Sequence, residues 1–187
     1  RSFLVALNNH RQRIDADIAM AISQEGKIIG QLISVTDANG ETKPARGKEQ
    51  NSAFRYPSWL DFSEVNKFYS LDGRVFQLKW APIRYGSTVI GWIGFGYLID
   101  LALASEFFDL TGFDTGFVYK KQDLPVVISL SNQNVTADER YYIEQLVLNN
   151  RQDAEYISFS REIGDLDGQS LYVVMYRHKL DVLSTLE

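Results

Sequence analysis

Residues 54–61 bring together side chains able to recognise a small molecule. This short stretch holds the guanidinium of Arg55, the phenol of Tyr56 and the indole of Trp59. A guanidinium can bind a carboxylate or phosphate through two parallel hydrogen bonds, and aromatic rings stack on planar or amine-bearing ligands. The alternative is structural: Tyr56 and Trp59 anchor the segment on the core while Arg55 stays solvated.

A second group lies on an extended run that contains Gly91, Trp92, Gly94 and Gly96. The two-residue period of a strand places Trp92, Gly94 and Gly96 on one face. Glycine inside a strand often marks a close approach. One interpretation is a bare patch of backbone beside an aromatic wall, where a ligand lies; the other is that a helix packs there.

Polar residues alternate with apolar ones along residues 74–80, where Gln77 and Lys79 are the polar members. They either line a pocket or form the solvated side of a half-exposed sheet. Tyr69, on the preceding strand, completes the candidate group. The predicted ligand-binding residues are Arg55, Tyr56, Trp59, Tyr69, Gln77, Trp92, Gly94 and Gly96.

Composition excludes several other chemistries. The chain has 187 residues, no cysteine and only two histidines, His10 and His178. Thiol nucleophiles and Cys-based zinc sites are therefore excluded, and no catalytic triad is expected. The formal net charge of −5 disfavours nucleic-acid binding. We predict no cofactor and no metal. Two carboxylate pairs are interpreted as helix or turn solvation: Asp15 with Asp17, and Asp165 with Asp167.

Charge is distributed unevenly and suggests two structural units. Residues 1–100 carry 12 basic and 10 acidic side chains, whereas residues 101–187 carry 7 and 14. The sign of the net charge changes near Asp100, which we take as the boundary. The fraction of hydrophobic residues, 45%, is enough to build a core in each unit.

Hydrophobic periodicity predicts an α+β chain. The first unit is read as a helix, two strands, a long loop and three strands, with Gly26, Asp72-Gly73 and Tyr85-Gly86 as turns. The second unit is read as helix, two strands, helix, two strands, with Thr136 as N-cap of its second helix. The ranges are 2–15, 17–23, 28–35, 36–58, 66–71, 74–84 and 87–99 in the first unit, and 101–110, 114–120, 125–130, 137–149, 155–163 and 170–177 in the second.

Four stretches together resemble a known family. They are residues 9–17 (NHRQRIDAD), 91–100 (GWIGFGYLID), 110–113 (LTGF) and 172–177 (YVVMYR). They resemble the double Cache sensor domain, two tandem PAS-like units found outside the membrane in bacterial signalling proteins. The nearest subgroup precedes HAMP, GGDEF and often EAL domains in transmembrane cyclic di-GMP proteins. The resemblance covers nearly the whole chain.

The resemblance implies a periplasmic, non-enzymatic sensory module. Residues 1–100 would be the membrane-distal unit with its N-terminal helix, and residues 101–187 the smaller membrane-proximal unit. It also implies a homodimer, membrane spans outside this stretch, and an exit helix that begins within residues 179–187. In these domains the region containing Arg55, Tyr56 and Trp59 closes over the pocket.

One departure bears on the ligand. Family members that bind amino acids carry Asp in a Gly-x-x-Gly-x-Asp strand, whereas this sequence has Gly96 there. An α-amino group would lose its carboxylate partner, so amino-acid sensing is not expected. Two hypotheses follow: a sensor that binds a small molecule and shifts between two states, or a ligand-free dimerisation module that sets receptor geometry.

Overall fold

The computed structural model describes residues 2–36, 42–46, 67–150, 153–166 and 168–184. The described helices are α1 (Ser2–Arg13), α2 (Leu101–Thr111), α3 (Ala137–Asn149) and α4 (Lys179–Ser184). The described strands are β1 (Ile18–Ser23), β2 (Ile28–Thr36), β3 (Thr42–Arg46), β4 (Lys67–Leu71), β5 (Arg74–Tyr85), β6 (Thr88–Leu98), β7 (Asp114–Lys121), β8 (Leu124–Leu130), β9 (Tyr156–Leu166) and β10 (Gln169–His178). None of these helices is long and apolar enough to cross a membrane.

The first sheet has the order β3-β2-β1-β6-β5-β4, and its described ladders are antiparallel. β1 lies in the interior of the sheet, and its residues 18–22 are completely buried. A strand that is buried on both faces carries apolar side chains on both. For this reason the sequence of β1, IAMAIS, shows no alternation of polar and apolar residues.

Helix α1 covers one face of this sheet. Leu7 is buried and clusters with Ala19 and Leu32, and Leu4 packs against the same group. The helix approaches β2 closely at Gly30, where an added Cβ would lie 3.0 Å from Cδ2 of Leu4. Glycine at this position therefore sets the distance between the helix and the sheet.

Arg11 fixes the end of this helix. Its side chain is only 5% exposed, and Nη1 donates to the carbonyl of Ala16 at 2.8 Å and to the hydroxyl of Ser34. Nε donates to Oδ1 of Asn8 at 3.3 Å. All three acceptors are neutral, so hydrogen bonds rather than an ion pair offset the cost of burying this charge.

Asp17, which directly precedes β1, is hydrogen-bonded to the strands on either side of β1. Its amide donates to the carbonyl of Gly96 at 2.9 Å, and its own carbonyl accepts from the amide of Ser34 at 2.7 Å. Its carboxylate Oδ2 accepts from the amide of Leu98 at 2.8 Å. Asp17 therefore joins β1 to both of its neighbours, and the expectation that it is merely solvated is wrong.

The predicted loop at 36–58 contains a strand, so the first sheet has six strands among the described residues rather than the expected five. β3 is a sheet edge and contains Pro44. Proline lacks an amide donor and is tolerated mainly at edges. Its presence, together with the polar surroundings, concealed this strand from a pattern-based prediction.

The hairpin predictions at two turns are confirmed. Asp72 and Gly73 have φ of 50° and 74°, and Gln122 and Asp123 have φ of 52° and 64°. Two consecutive positive φ values are typical of type I′ turns, whose twist matches that of the flanking strands. The second loop is therefore two residues long, shorter than the four we expected.

The second sheet has the order β8-β7-β10-β9 and carries a helix on each face. Alternation in β7 sends Phe117 into the cluster with Ala104 of α2, and Val118 into the cluster with Ile143 of α3. The predicted cap of α3 is confirmed, since Thr136 and Glu139 form a reciprocal capping box.

Contacts divide the chain into residues 1–67 with 76–98, and residues 68–75 with 99–187. The hairpin segment 68–75, which the sequence placed in the first unit, thus groups with the second. Phe68 and Val75 pack in one cluster with Ile99 and Leu171, which accounts for this grouping. The prediction of an α+β chain with antiparallel sheets is confirmed.

Replacing Arg11 with alanine tests how much the hydrogen bonds of its side chain to Ala16 and Ser34 stabilise the fold. Removal of the guanidinium leaves the Ala16 carbonyl and the Ser34 hydroxyl without this donor, so we expect a loss of about 2–4 kcal/mol in unfolding free energy. The matched control is Arg13→Ala, whose side chain is exposed and should change stability by less than about 0.5 kcal/mol. Urea unfolding monitored by circular dichroism measures both; equal effects would contradict the assignment.

Candidate functional site

The candidate site is the face of the first sheet opposite α1, which we call the tryptophan face. Register defines it: Gly94 of β6 pairs with Met20 of β1 and with Trp80 of β5. Met20 in turn pairs with Gln31 of β2. Directly paired residues share a face, so Trp80, Gly94, Met20 and Gln31 form one row. Trp92 and Ile22 belong to the adjacent row.

The space beside the two predicted glycines is filled by side chains of neighbouring strands. A Cβ on Gly94 would lie 2.7 Å from Cε3 of Trp80, so the indole lies directly on the glycine. A Cβ on Gly96 would lie 2.7 Å from Cδ2 of Leu78. The expected bare patch of backbone is therefore not found at either position; the side chains of Trp80 and Leu78 lie there instead.

Gln31 is the polar member of the tryptophan face. It is 9% exposed, and among the described residues its Nε2 has no hydrogen-bond partner. A buried amide without a partner costs roughly 1–3 kcal/mol, which an acceptor atom of a ligand would recover. The sequence analysis missed Gln31 because a glutamine within an apolar strand carries no motif.

Gln77 lies on the opposite face from Trp92. It pairs with Tyr97, whose hydroxyl donates to the carbonyl of Ile14 at the end of α1. The prediction that Gln77 and Trp92 line one pocket is therefore wrong. The cause is register: Leu78, not Gln77, shares a face with Gly96.

The other predicted residues are placed differently. Tyr69 is 4% exposed and lies in the hairpin that groups with the second unit. Arg55, Tyr56 and Trp59 lie outside the described residues. Of the predicted set, the structure brings Trp92, Gly94 and Gly96 onto one face of the first unit.

The second unit contains a carboxylate with altered acidity. Asp114 accepts a hydrogen bond from the Ser131 hydroxyl at 3.1 Å. Burial raises the pKa of Asp114, the Ser131 hydrogen bond opposes this, and the charges of Glu139 and Asp181 raise it further. Within the described residues no group of three or more His, Asp or Glu side chains is arranged to hold a metal ion.

Comparison with known proteins was made by sequence and by structure. No family model matches the chain, and no curated protein matches it by sequence. The extracellular domain of a protein described as a histidine kinase, vpHK1S-Z8, superposes with a TM-score of 0.52 at 12% identity. That match covers 97% of this chain and 75% of the other.

A domain of a sensory box/GGDEF family protein from Vibrio parahaemolyticus also matches with a TM-score of 0.52 at 12% identity. It covers 96% of this chain and 78% of the other. At this identity the likeness establishes the fold. This chain therefore shares the α+β fold of these two solved domains over almost its whole length.

Replacing Gln31 with methionine tests whether its amide lacks a partner. Methionine keeps the volume and removes the buried donor, so the ligand-free protein should gain about 1 kcal/mol in unfolding stability. The control is Gln12→Met on the exposed side of α1, which should change stability by less than about 0.5 kcal/mol. Urea unfolding measures both. A marked loss of stability in Gln31→Met would mean that the amide is already satisfied.

Replacing Asp114 with asparagine tests its electrostatic environment. Because its pKa is raised in the folded state, wild-type stability should fall as pH rises from the unfolded value of 3.8 through the raised value. Asparagine still accepts from Ser131 but does not ionise, so the variant should lack this fall and be at least as stable at neutral pH. Thermal melts from pH 3 to pH 7 test this; exposed Asp109→Asn should follow the wild-type curve.

Proposed function

We propose that this chain is an extracytoplasmic sensory domain that binds a small molecule on the tryptophan face of its first unit. The observation that carries the proposal is the buried Nε2 of Gln31, which has no hydrogen-bond partner among the described residues and belongs to a row with Met20, Gly94 and Trp80. A ligand with an acceptor atom would satisfy this amide, and its apolar body would lie along the same row of side chains.

The shared fold supports the class and the location. The matched domains are described as extracellular, for the histidine kinase, and as part of a sensory box/GGDEF protein. On this basis we propose a periplasmic domain of the double Cache type in a membrane-anchored receptor. The proposed output is cytoplasmic cyclic di-GMP turnover, with the first unit distal and the second proximal to the membrane.

The proposed ligand combines a planar or apolar body with a hydrogen-bond acceptor. Indole rings bind such bodies through large, rigid contact areas, and the amide of Gln31 orients the acceptor. Arg55, Tyr56 and Trp59 remain in the proposed binding set on sequence grounds, with Arg55 suited to a carboxylate, whereas Tyr69 groups with the second unit and is left out of it. The domain itself would perform no chemistry and would signal by a shift between two states.

A dimerisation module is the second candidate. On α1, Phe3 is 42% exposed and Val5 56%, and Ile14, just after the helix, is 46% exposed. Exposed apolar side chains of this kind would be covered in a protein–protein interface. In this alternative the helix at residues 2–15 and the acidic second unit would set the geometry of a homodimer without a ligand.

A thermal-shift screen of organic acids, amines, nucleotides, amino acids and peptides tests the proposal. A ligand at 100 times its dissociation constant should stabilise the protein by about 2.7 kcal/mol. The shift should be strongly reduced in Gln31→Met and in Trp92→Ala, and retained in Gln12→Met. A shift that survives the first two changes would place the site elsewhere, and the absence of any hit would favour the dimerisation module.

A further inference from the structure

One end of the second sheet contains the buried hydroxyl of a tyrosine. Tyr176 of β10 is 1% exposed, and among the described residues its hydroxyl has no hydrogen-bond partner. Tyr176 pairs directly with Asp114 across the β7–β10 ladder, so the two side chains lie on the same face. The hydroxyl therefore lies in the neighbourhood of a carboxylate but is not bonded to it.

Carboxylates dominate the charge around this hydroxyl. Burial raises the pKa of Tyr176, and the charges of Asp114 and Glu139 raise it further. The pKa of neighbouring Tyr156 is raised by burial and then by Glu139 and Glu155. The local potential is therefore negative, which favours a bound cation.

The basic side chains at this end are bonded to backbone carbonyls. Nη2 of Arg177 donates to the carbonyl of Asp181 at 3.4 Å, and Nζ of Lys179 donates to the carbonyl of Ala154 at 2.5 Å. The acceptor in each of these two bonds is a backbone carbonyl and not the Asp114 carboxylate. Arg177 lowers the pKa of Asp114 less than the other groups raise it.

Aromatic rings cluster beside Tyr176. Tyr142 and Tyr156 are stacked with centroids 4.5 Å apart, and the Tyr156 and Tyr176 rings meet edge to face at 6.3 Å. His178 contacts Tyr156 edge to face at 5.2 Å. Ring faces attract ammonium groups electrostatically, so rings and carboxylates at one site favour an organic cation.

We propose that this acidic, aromatic end of the second unit binds a primary ammonium group. The hydroxyl of Tyr176 accepts one N–H, Asp114 serves as the counter-ion, and the neighbouring rings contribute cation–π attraction. A quaternary ammonium has no N–H to donate and fits less well. A metal ion lacks a sufficient set of ligands in the described part of the chain. The site is independent of the tryptophan face.

Titration calorimetry with butylamine tests this proposal. We expect butylamine to bind wild-type protein, 1-butanol not to bind, and tetramethylammonium to bind at least several-fold more weakly. Tyr176→Phe keeps the ring and removes only the unpartnered hydroxyl, so it should fold, melt no lower than wild type and bind butylamine about tenfold more weakly. Asp114→Asn should weaken binding further.

Two variants serve as controls. Tyr172→Phe removes a hydroxyl on the same strand that contacts Glu162 instead, and it should bind butylamine as wild type does. Gln31→Met should also bind it normally, which separates this site from the proposed ligand site of the first unit. Unchanged binding in Tyr176→Phe, equal binding of tetramethylammonium, or no binding at millimolar butylamine would each overturn the proposal.

Discussion

The register of the first sheet depends on the hydrogen bonds that Arg11 and Asp17 make where the chain passes from α1 to β1. Arg11 bonds to Ala16 and Ser34 at the end of the helix, and Asp17 bonds to backbone groups of β2 and β6. A slip of one residue in β1 would turn every side chain to the other face. The side chain of Arg11 and the main chain and carboxylate of Asp17 hold this end of β1, and in the resulting register Met20 lies in one row with Gln31, Gly94 and Trp80.

Most helices and strands of this fold could be predicted from local sequence patterns. The features that could not be predicted depend on pairing between strands that are distant in sequence. The helix at Ala137–Asn149 and its Thr136 cap follow from neighbours in sequence. β3 could not be found because Pro44 and polar residues hide an edge strand. The face of Gln77 could not be assigned, because alternation separates two sides of a strand without saying which side meets Trp92.

Only part of the candidate site could be predicted from the sequence, because strand pairing determines which side chains meet. The sequence indicated that Gly94 and Gly96 are close-approach positions, and this is confirmed, but the approaching groups are Trp80 and Leu78 of the neighbouring strand. Gln31 and Tyr176 carry no motif, and what distinguishes them from ordinary core residues is burial without a hydrogen-bond partner among the described residues. Gln31 and Tyr176 differ in chemistry. The amide N–H of Gln31 can donate to an acceptor atom of a ligand, whereas the hydroxyl of Tyr176 can accept a hydrogen bond from a cation.

Methionine methyl NMR tests the central claim most directly, because the chain has only two methionines. Met20 lies on the tryptophan face of the first unit, and Met175 lies on β10 of the second. In a titration of 13C-methyl-labelled protein with a compound that raises its melting temperature, a ligand on the tryptophan face should shift the Met20 resonance and leave Met175 unchanged. Binding demonstrated by calorimetry with an unmoved Met20 resonance would contradict the assignment of this face as the sensory site.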